Sequence, residues 1–368
     1  MTIRLLLIFF IPLVSLGQTS SIDSIIKSKI QSDSENPVFS ILLHIEKRGK
    51  IYYSKGFGNS DKNSQPVKEN SKFKIASSTK IFVSTIILQL MEEYKLKLTD
   101  KVFQYLDNLD FLQFDNLHTF ENNSYSNQIS IQDLLSHKSG LADIFNDRKD
   151  EFFSHLLQNP QKQYSPESIV ELYYSFGLNH SSFFEPNKGW HYSDMNYVLL
   201  GLIIESIEQR ELHKSIRNRI LIPLKMEDTY FEFYEDPTNK AHVMNQYIGK
   251  INFSKLNTSF DWAGGGLVST NQDLSTFIKA LFEYKLINTE SLKKMIDVKF
   301  TKKGEYRYGL GVYESIYNGK TYFGHYGFYG TYIGYCPESK TVISYAINQA
   351  IPDFEGHTLI SEILELSE

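Results

Sequence analysis

Hydrophobic and polar positions along the chain fall into three regimes. Segments 38–45 and 51–53 are rich in apolar and β-forming residues, and the polar run Glu46-Lys47-Arg48-Gly49-Lys50 between them carries a glycine. That pattern predicts a β-hairpin. Over 75–94 the period changes, with Ile81, Phe82, Ile86, Leu90 and Met91 at helical spacing and the small hydroxyl residues Ser77, Ser78 and Thr79 near the start. The spacing predicts a long, mostly buried helix that begins near Ser77. From about 100 to 290 the chain reads as helices and loops, clearest as helix over 131–136, 166–176, 197–207 and 273–284. Short runs rich in Tyr, Val and Ile return between glycines at 309–312, 320–324, 330–335 and 341–347 and predict strands, and 354–366 reads as a closing helix packed on them. Strands at both ends around a helical middle predict one sheet built from both termini. There is no internal repeat and no low-complexity linker.

Composition narrows the class. With 368 residues, 41% apolar and 14% aromatic, the chain can bury a large core as one large domain or two intimate ones. A formal net charge of -5 supplies no basic field for phosphate backbones, which argues against nucleic acid as a partner. Arg4, the apolar run 5–14 and the small residues Ser15 and Gly17 predict a cleavable signal peptide over 1–17. A lead-in segment over 18–37 and a domain over 38–368 follow. The apolar run is about half of the ~20 residues a spanning helix requires, so the mature protein is expected without a membrane span, exported to the periplasm or secreted. Cys336 is the only cysteine, which rules out an intrachain disulfide.

A Ser-x-x-Lys spacing occurs at Ser24/Lys27, Ser71/Lys74, Ser77/Lys80 and Ser291/Lys294. Only the Ser77 copy opens a strongly apolar helix, where three-residue spacing stacks the amine beside the hydroxyl on one face. Burial there disfavours the ammonium, so Lys80 is expected to accept the proton that Ser77 sheds on attack. The unfilled N–H groups of the first turn favour negative charge at the same place. Two further segments stand out. Trp190-His191-Tyr192-Ser193-Asp194-Met195-Asn196 precedes an apolar helix, and Gly324-His325-Tyr326-Gly327-Phe328-Tyr329-Gly330 is a glycine-dense strand edge that a ligand backbone could approach closely. The sequence has no Gly-x-Ser-x-Gly elbow, no His-Glu-x-x-His and no Cys/His metal spacing. No metal and no organic cofactor is expected. His137 reads as a structural residue rather than a ligand.

Taken in order, IASSTK, YSD and HYG resemble the Ser-x-x-Lys, Tyr-x-Asn and Lys/His-x-Gly signature of the serine β-lactamase and penicillin-binding family, in its class C β-lactamase and D-alanyl-D-alanine carboxypeptidase branch. KGFGNSD, KLKLTDKVFQYL, ISIQDLLSHKSGL, NYVLLGLIIE, IPLKMEDTYF and AGGGLVSTNQDLSTFIKAL extend the resemblance over roughly 38–350. It implies an α+β fold: an antiparallel β-sheet flanked by helices, plus an all-helical region, with the site in the cleft between. It also implies Ser77 as nucleophile, Lys80 as its proton partner, and Tyr192 as the residue that activates Ser77 or protonates the leaving group. The N–H groups of Ser77 and Phe328 would form an oxyanion hole. Asp194, His325, Gly327 and Phe328 would contact the substrate, and Trp262 and Ala263 would line its pocket.

Two positions depart from the pattern. Asp194 stands where the family has Asn, and a carboxylate there could hold the Lys80 ammonium. His325 stands where most β-lactamases have Lys, and an unperturbed imidazole would gain and lose charge between about pH 5 and 8. Both changes weaken the anchor for a substrate carboxylate. They favour a carboxypeptidase-like peptidase or esterase that acts on a peptidoglycan peptide, a D-amino-acid amide or an ester. A class C-like β-lactamase and a non-catalytic penicillin- or peptidoglycan-binding protein stay open as alternatives.

Overall fold

The computed structural model describes residues 14–62, 64–239, 242–300 and 307–367. Of the expected signal peptide, residues 1–13 lie outside these, and Val14–Ser28 is a helix (α1). Among the described residues no helix is long and apolar enough to cross a membrane.

The strand-forming ends of the chain meet in one eight-stranded sheet. Its strands are Ser40–Lys47 (β1), Lys50–Gly58 (β2), Lys299–Phe300 (β3), Arg307–Tyr308 (β4), Tyr313–Tyr317 (β5), Lys320–Gly327 (β6), Thr331–Cys336 (β7) and Thr341–Ile347 (β8). Their order is β3-β4-β5-β6-β7-β8-β1-β2, with every neighbouring pair antiparallel. The seam between the two ends runs from Ile41 opposite Ile347 to Lys47 opposite Thr341. Segment 309–312, expected as a strand, is instead the link from β4 to β5. Gly311 takes φ +83° there, a left-handed conformation that glycine adopts without strain, and its N–H donates to the Leu135 carbonyl at 3.1 Å.

Side chains alternate along each strand, so the two faces enter different cores. Ile41, Leu43 and Ile45 of β1, with Ile343 of β8, pack against Ile22 and Ile26 of α1 and against Leu359 and Ile363 of the closing helix Gly356–Glu365 (α8). Leu42, Val342 and Ala346 face the other way, into the large core shared with the helical middle. That middle holds Thr79–Glu92 (α2), Ile131–Leu135 (α3), Lys149–Gln158 (α4), Pro166–Ser175 (α5), Met195–Glu208 (α6) and Asn271–Phe282 (α7). The sequence starts α3 and α5 with capping boxes, Ser130 with Asp133 and Ser165 with Ser168, and starts α7 with Thr270 accepting from the Asp273 N–H. The fold is α+β, as the resemblance implies.

Helix α2 is buried on all sides, which is why its sequence is apolar around the whole circumference rather than on one stripe. Phe82 stacks on Phe277 of α7, ring centroids 3.7 Å apart, and is fully buried. Phe82→Ala is expected to lower the unfolding free energy by about 3–5 kcal/mol, the usual cost of emptying a buried ring site. Chemical denaturation checks it, and a loss below about 1 kcal/mol would mean that the core around α2 collapses freely.

Candidate active site

The turn Ala76–Ser78 enters α2 between two extended segments. On one side the Ile75 N–H donates to the Leu267 carbonyl (3.0 Å), continuing the pairing of Phe73–Lys74 with Leu267–Ser269. On the other, Ser78 Oγ donates to the His325 carbonyl (3.1 Å) and Thr331 Oγ1 to the Ile75 carbonyl (3.0 Å), which pins the turn to β6 and β7. Gly327 is glycine because a Cβ there would collide with the Ile75 carbonyl and Thr331 Oγ1. Ala76 sits at φ +47°, a strained region for a residue with a Cβ, directly before Ser77. Ser77 lines a cleft of about 910 Å³. The other Ser-x-x-Lys copies are absent from its described lining: Ser24 bonds the Ser20 carbonyl, Lys74 pairs with Glu232 at 2.9 Å, and Ser291 lies in a peripheral helix.

Lys80 follows one turn later with no exposed surface. Its ammonium donates to Ser77 Oγ (3.2 Å), to the Gly264 carbonyl (2.8 Å) and to Asp194 Oδ1. An ammonium has three N–H donors, so all are filled. The amine is therefore not the solitary buried group that the helix alone predicts. Asp194, at the entry to α6, neutralises it, and Gly264 lets the carboxylate approach, since a Cβ there would meet Asp194 Oδ1.

Tyr192 lines the same cleft as Ser77, and the Lys80 ammonium that bonds Ser77 lies 5.1 Å from its ring centroid. Burial holds its hydroxyl well above the ordinary phenol value, and the negative charge of Asp194 adds to this. It is a proton donor at neutral pH. The ring stacks on His137, centroids 4.2 Å apart. His137 Nδ1 takes the Ser193 N–H (3.2 Å) and Asn196 Nδ2 (3.0 Å), so Nε2 carries the ring proton, and burial keeps the imidazole neutral. His137 thus shapes the Tyr192 loop and touches its ring, a contact its sequence setting does not reveal. Asp143 also escapes a sequence reading. It is buried, accepts the Asp194 N–H (2.7 Å), and has its carboxyl pushed up by burial and by the charge of Asp194.

His325 lines the cleft yet is 1% exposed. Its Nδ1–H donates to the Tyr326 carbonyl (2.6 Å), and Nε2 accepts from the Tyr308 hydroxyl (3.1 Å). Burial, then the Lys80 charge, lowers its pKa to about 3. The charge change anticipated between pH 5 and 8 is thereby overturned: an unperturbed imidazole was the wrong reference for a ring sealed between strands. Phe328 follows the last β6–β7 pair, Gly327 opposite Thr331, with a half-exposed ring at the cleft. Trp262 and Ala263 are buried and do not appear in the described lining, where Asp261, Gly264 and Gly265 take their place.

Comparison with known proteins agrees with the fold. The family profile described as Beta-lactamase matches residues 27–367. The chain is 27% identical over 281 residues to a penicillin-binding protein of Bacillus subtilis (strain 168), covering 72% of this chain and 57% of that one. It is 25% identical over 333 residues to the teichoic acid D-alanine hydrolase of Staphylococcus aureus (strain NCTC 8325 / PS 47), covering 87% and 73%. The chain thus spans little more than half of the Bacillus protein. Among solved structures it resembles the octameric penicillin-binding protein homologue from Pyrococcus abyssi, with TM-score 0.78, 25% identity and coverage of 95% and 78%.

With His325 neutral, kcat/KM for hydrolysis between pH 5 and 8 is expected to keep the wild-type profile in His325→Gln. A limb near pH 7 is expected to move in Asp261→Asn, where burial pushes the carboxyl up to about 7. A limb that vanishes in His325→Gln would return the titration to the imidazole.

Proposed function

The chain belongs to the β-lactamase family, and on that premise we propose that it is a serine hydrolase that cleaves esters or amides through an acyl-enzyme on Ser77, as a peptidase or esterase. The observation that carries this reading is the hydrogen bond of the Lys80 ammonium to Ser77 Oγ in an open cleft that Tyr192 also lines, its ring 5.1 Å from that ammonium.

For Ser77 to lose its proton to Lys80, the ammonium must first give one up. Asp194 provides the route, because moving a proton along their contact converts a buried ion pair into a neutral amine and acid without changing the net charge. The amine then removes the hydroxyl proton as Ser77 Oγ bonds the substrate carbonyl carbon. The carbonyl oxygen becomes an anion held by the N–H groups of Ser77, in the first turn where helix donors are unfilled, and of Phe328, just past the strand pairing. Tyr192 donates its proton to the leaving group as the carbonyl–leaving-group bond breaks, and Lys80 restores that proton. Water repeats the sequence on the acyl ester: its oxygen bonds the carbonyl carbon, its proton passes to the amine, and Ser77 Oγ leaves with a proton from Tyr192.

A peptidase or esterase role is favoured over a β-lactamase role by the charge around the site. His325 supplies no cation, and the Lys80 charge is spent on Asp194. A substrate carboxylate therefore lacks the anchor that a Lys in the same place would give. Export, periplasmic or secreted, is part of the proposal and rests on Arg4 with the apolar run 5–14.

Incubation of the purified protein with a fluorescent penicillin, alongside hydrolysis of an acyl ester, tests the assignment. Ester turnover with slow or absent penicillin hydrolysis is expected, and Ser77→Ala should lower kcat by about a thousandfold or more. Rapid penicillin hydrolysis would make the chain a β-lactamase, and ester cleavage retained in Ser77→Ala would remove Ser77 as nucleophile.

A further inference from the structure

The cleft is asymmetric in charge and chemistry. Among its described lining residues the carboxylates are Asp194, Asp261 and Glu355, and the one lysine, Lys149, is exposed at the rim where water screens it. Asp194 is occupied by Lys80. Asp261 is not so occupied. Its Oδ2 accepts from the Tyr329 hydroxyl (2.7 Å), and no ion-pair partner stands within 4 Å among the described residues. Burial pushes the carboxyl up to about 7, although the Tyr329 hydroxyl and the charge of Lys74 pull the other way. A half-buried carboxylate with no ion-pair partner among the described residues, beside open space, is a receptor for a cation.

Its position relative to the reacting group is fixed by Gly265. A Cβ built there would lie 3.3 Å from Asp261 Cγ and 3.4 Å from the backbone carbon of Ala76, the residue before Ser77. Asp261 and Ser77 therefore border the same small volume. Beside them runs a continuous aromatic wall. Phe260 packs on Phe145 (centroids 5.6 Å) and Phe152 (4.9 Å), Phe152 on Phe153 (6.0 Å), Phe153 on Phe253 (6.0 Å), and Phe253 on Tyr329, the residue that holds Asp261 (5.8 Å). All of these rings line the cleft. Carboxylate and wall stand next to each other, as an ammonium and an apolar side chain stand on one substituted carbon.

We propose that the cleft selects acyl groups bearing a free ammonium and a large apolar or aromatic side chain on the carbon next to the scissile carbonyl, with Asp261 as the residue that binds the ammonium. This deepens the acyl-enzyme reading and rests on it. The carboxylate orients the substrate through a charge-assisted hydrogen bond, the rings desolvate the side chain, and the carbonyl is left facing Ser77. An acyl group with a carboxylate or hydrogen at the ammonium position forfeits that contact and, in the former case, meets a like charge.

The test compares kcat/KM for three esters: phenylalanine methyl ester in each enantiomer, its N-acetyl derivative, and methyl 3-phenylpropanoate, which lacks the amine. The wild-type protein is expected to favour one enantiomer of the free-ammonium ester over methyl 3-phenylpropanoate by about tenfold or more, a difference of about 1.4 kcal/mol. In Asp261→Asn that ratio should collapse to within about threefold, whatever the absolute rates, while Tyr329→Phe, which keeps the carboxylate, should retain a preference. A wild-type ratio near one overturns the proposal even if no variant folds, and so does a ratio unchanged in Asp261→Asn. If none of the three esters is cleaved in a Ser77-dependent manner, the acyl-enzyme reading itself falls, and the proposal with it. Cleavage that depends on Ser77 but ignores the ammonium removes the proposal alone.

Discussion

A lysine without exposed surface cannot remain charged unless acceptors come to it, and much of the site follows from how Lys80 is satisfied. Its three acceptors belong to three segments far apart in sequence: the turn before α2, the entry to α6, and the glycine-rich segment at 264. Each is placed so that one ammonium closes all three. Losing one partner of such a buried pair costs about 3–5 kcal/mol, because the remaining charge is stranded. This gives the glycine at 264 its meaning, since any side chain there would displace the carboxylate from the amine. The same contact gives Asp194 a part that an amide could not fill. It is the counter-ion of the Lys80 ammonium and, in the proposed mechanism, a place for the proton that frees the amine.

Several parts of this arrangement are legible in the order of residues. The change of hydrophobic period at Ser77 marks the helix that carries it, because a helix buried on every side must be apolar on every side. The Tyr192 segment is marked by the apolar helix that follows, and the His325 segment by glycines that give way to neighbouring backbone, as Gly327 does to the Ile75 carbonyl. What is hidden is whatever depends on meetings between distant segments. Asp143 and Asp261 look like ordinary loop acids, and only the fold sets Asp143 against the Asp194 N–H and Asp261 in the cleft that Ser77 lines. The left-handed backbone at Ala76 (φ +47°), His137 (φ +56°) and Trp262 (φ +27°) has no counterpart in residue type, since none is a glycine. Segment 309–312 deceives for the opposite reason: its composition suits a strand, but Gly311 and its bond to Leu135 turn the chain.

Burial acts on acids and bases in opposite senses, and both occur around this one lysine. His137 and His325 are kept neutral, so an unfolded chain, with imidazoles titrating near 6.5, takes up protons that the folded one refuses. That contribution to stability is present above pH 6.5 and erodes as pH falls below it. Asp143 and Asp261 are displaced upward, so the folded chain holds protons that the unfolded one has released. Their contribution is complete below the ordinary carboxylate value near 3.8 and is lost as pH rises, for Asp261 through about 7. Every shift disfavours a charge, and the two sets trade off against each other between pH 4 and 7. Between these two sets lies a direct ion pair, Lys80 with Asp194.

The seam at which Ile41 meets Ile347 imposes an order on assembly. The hairpin β1–β2 is synthesised well before β8, the strand that closes the open edge of β1. Until then it presents a row of unpaired amides and carbonyls, the feature that recruits foreign strands. Closure must bring together strands far apart in sequence, which slows folding relative to local pairing. A nascent chain therefore carries that edge uncovered until β8 has followed it out, and the edge is blunted only when the sheet closes.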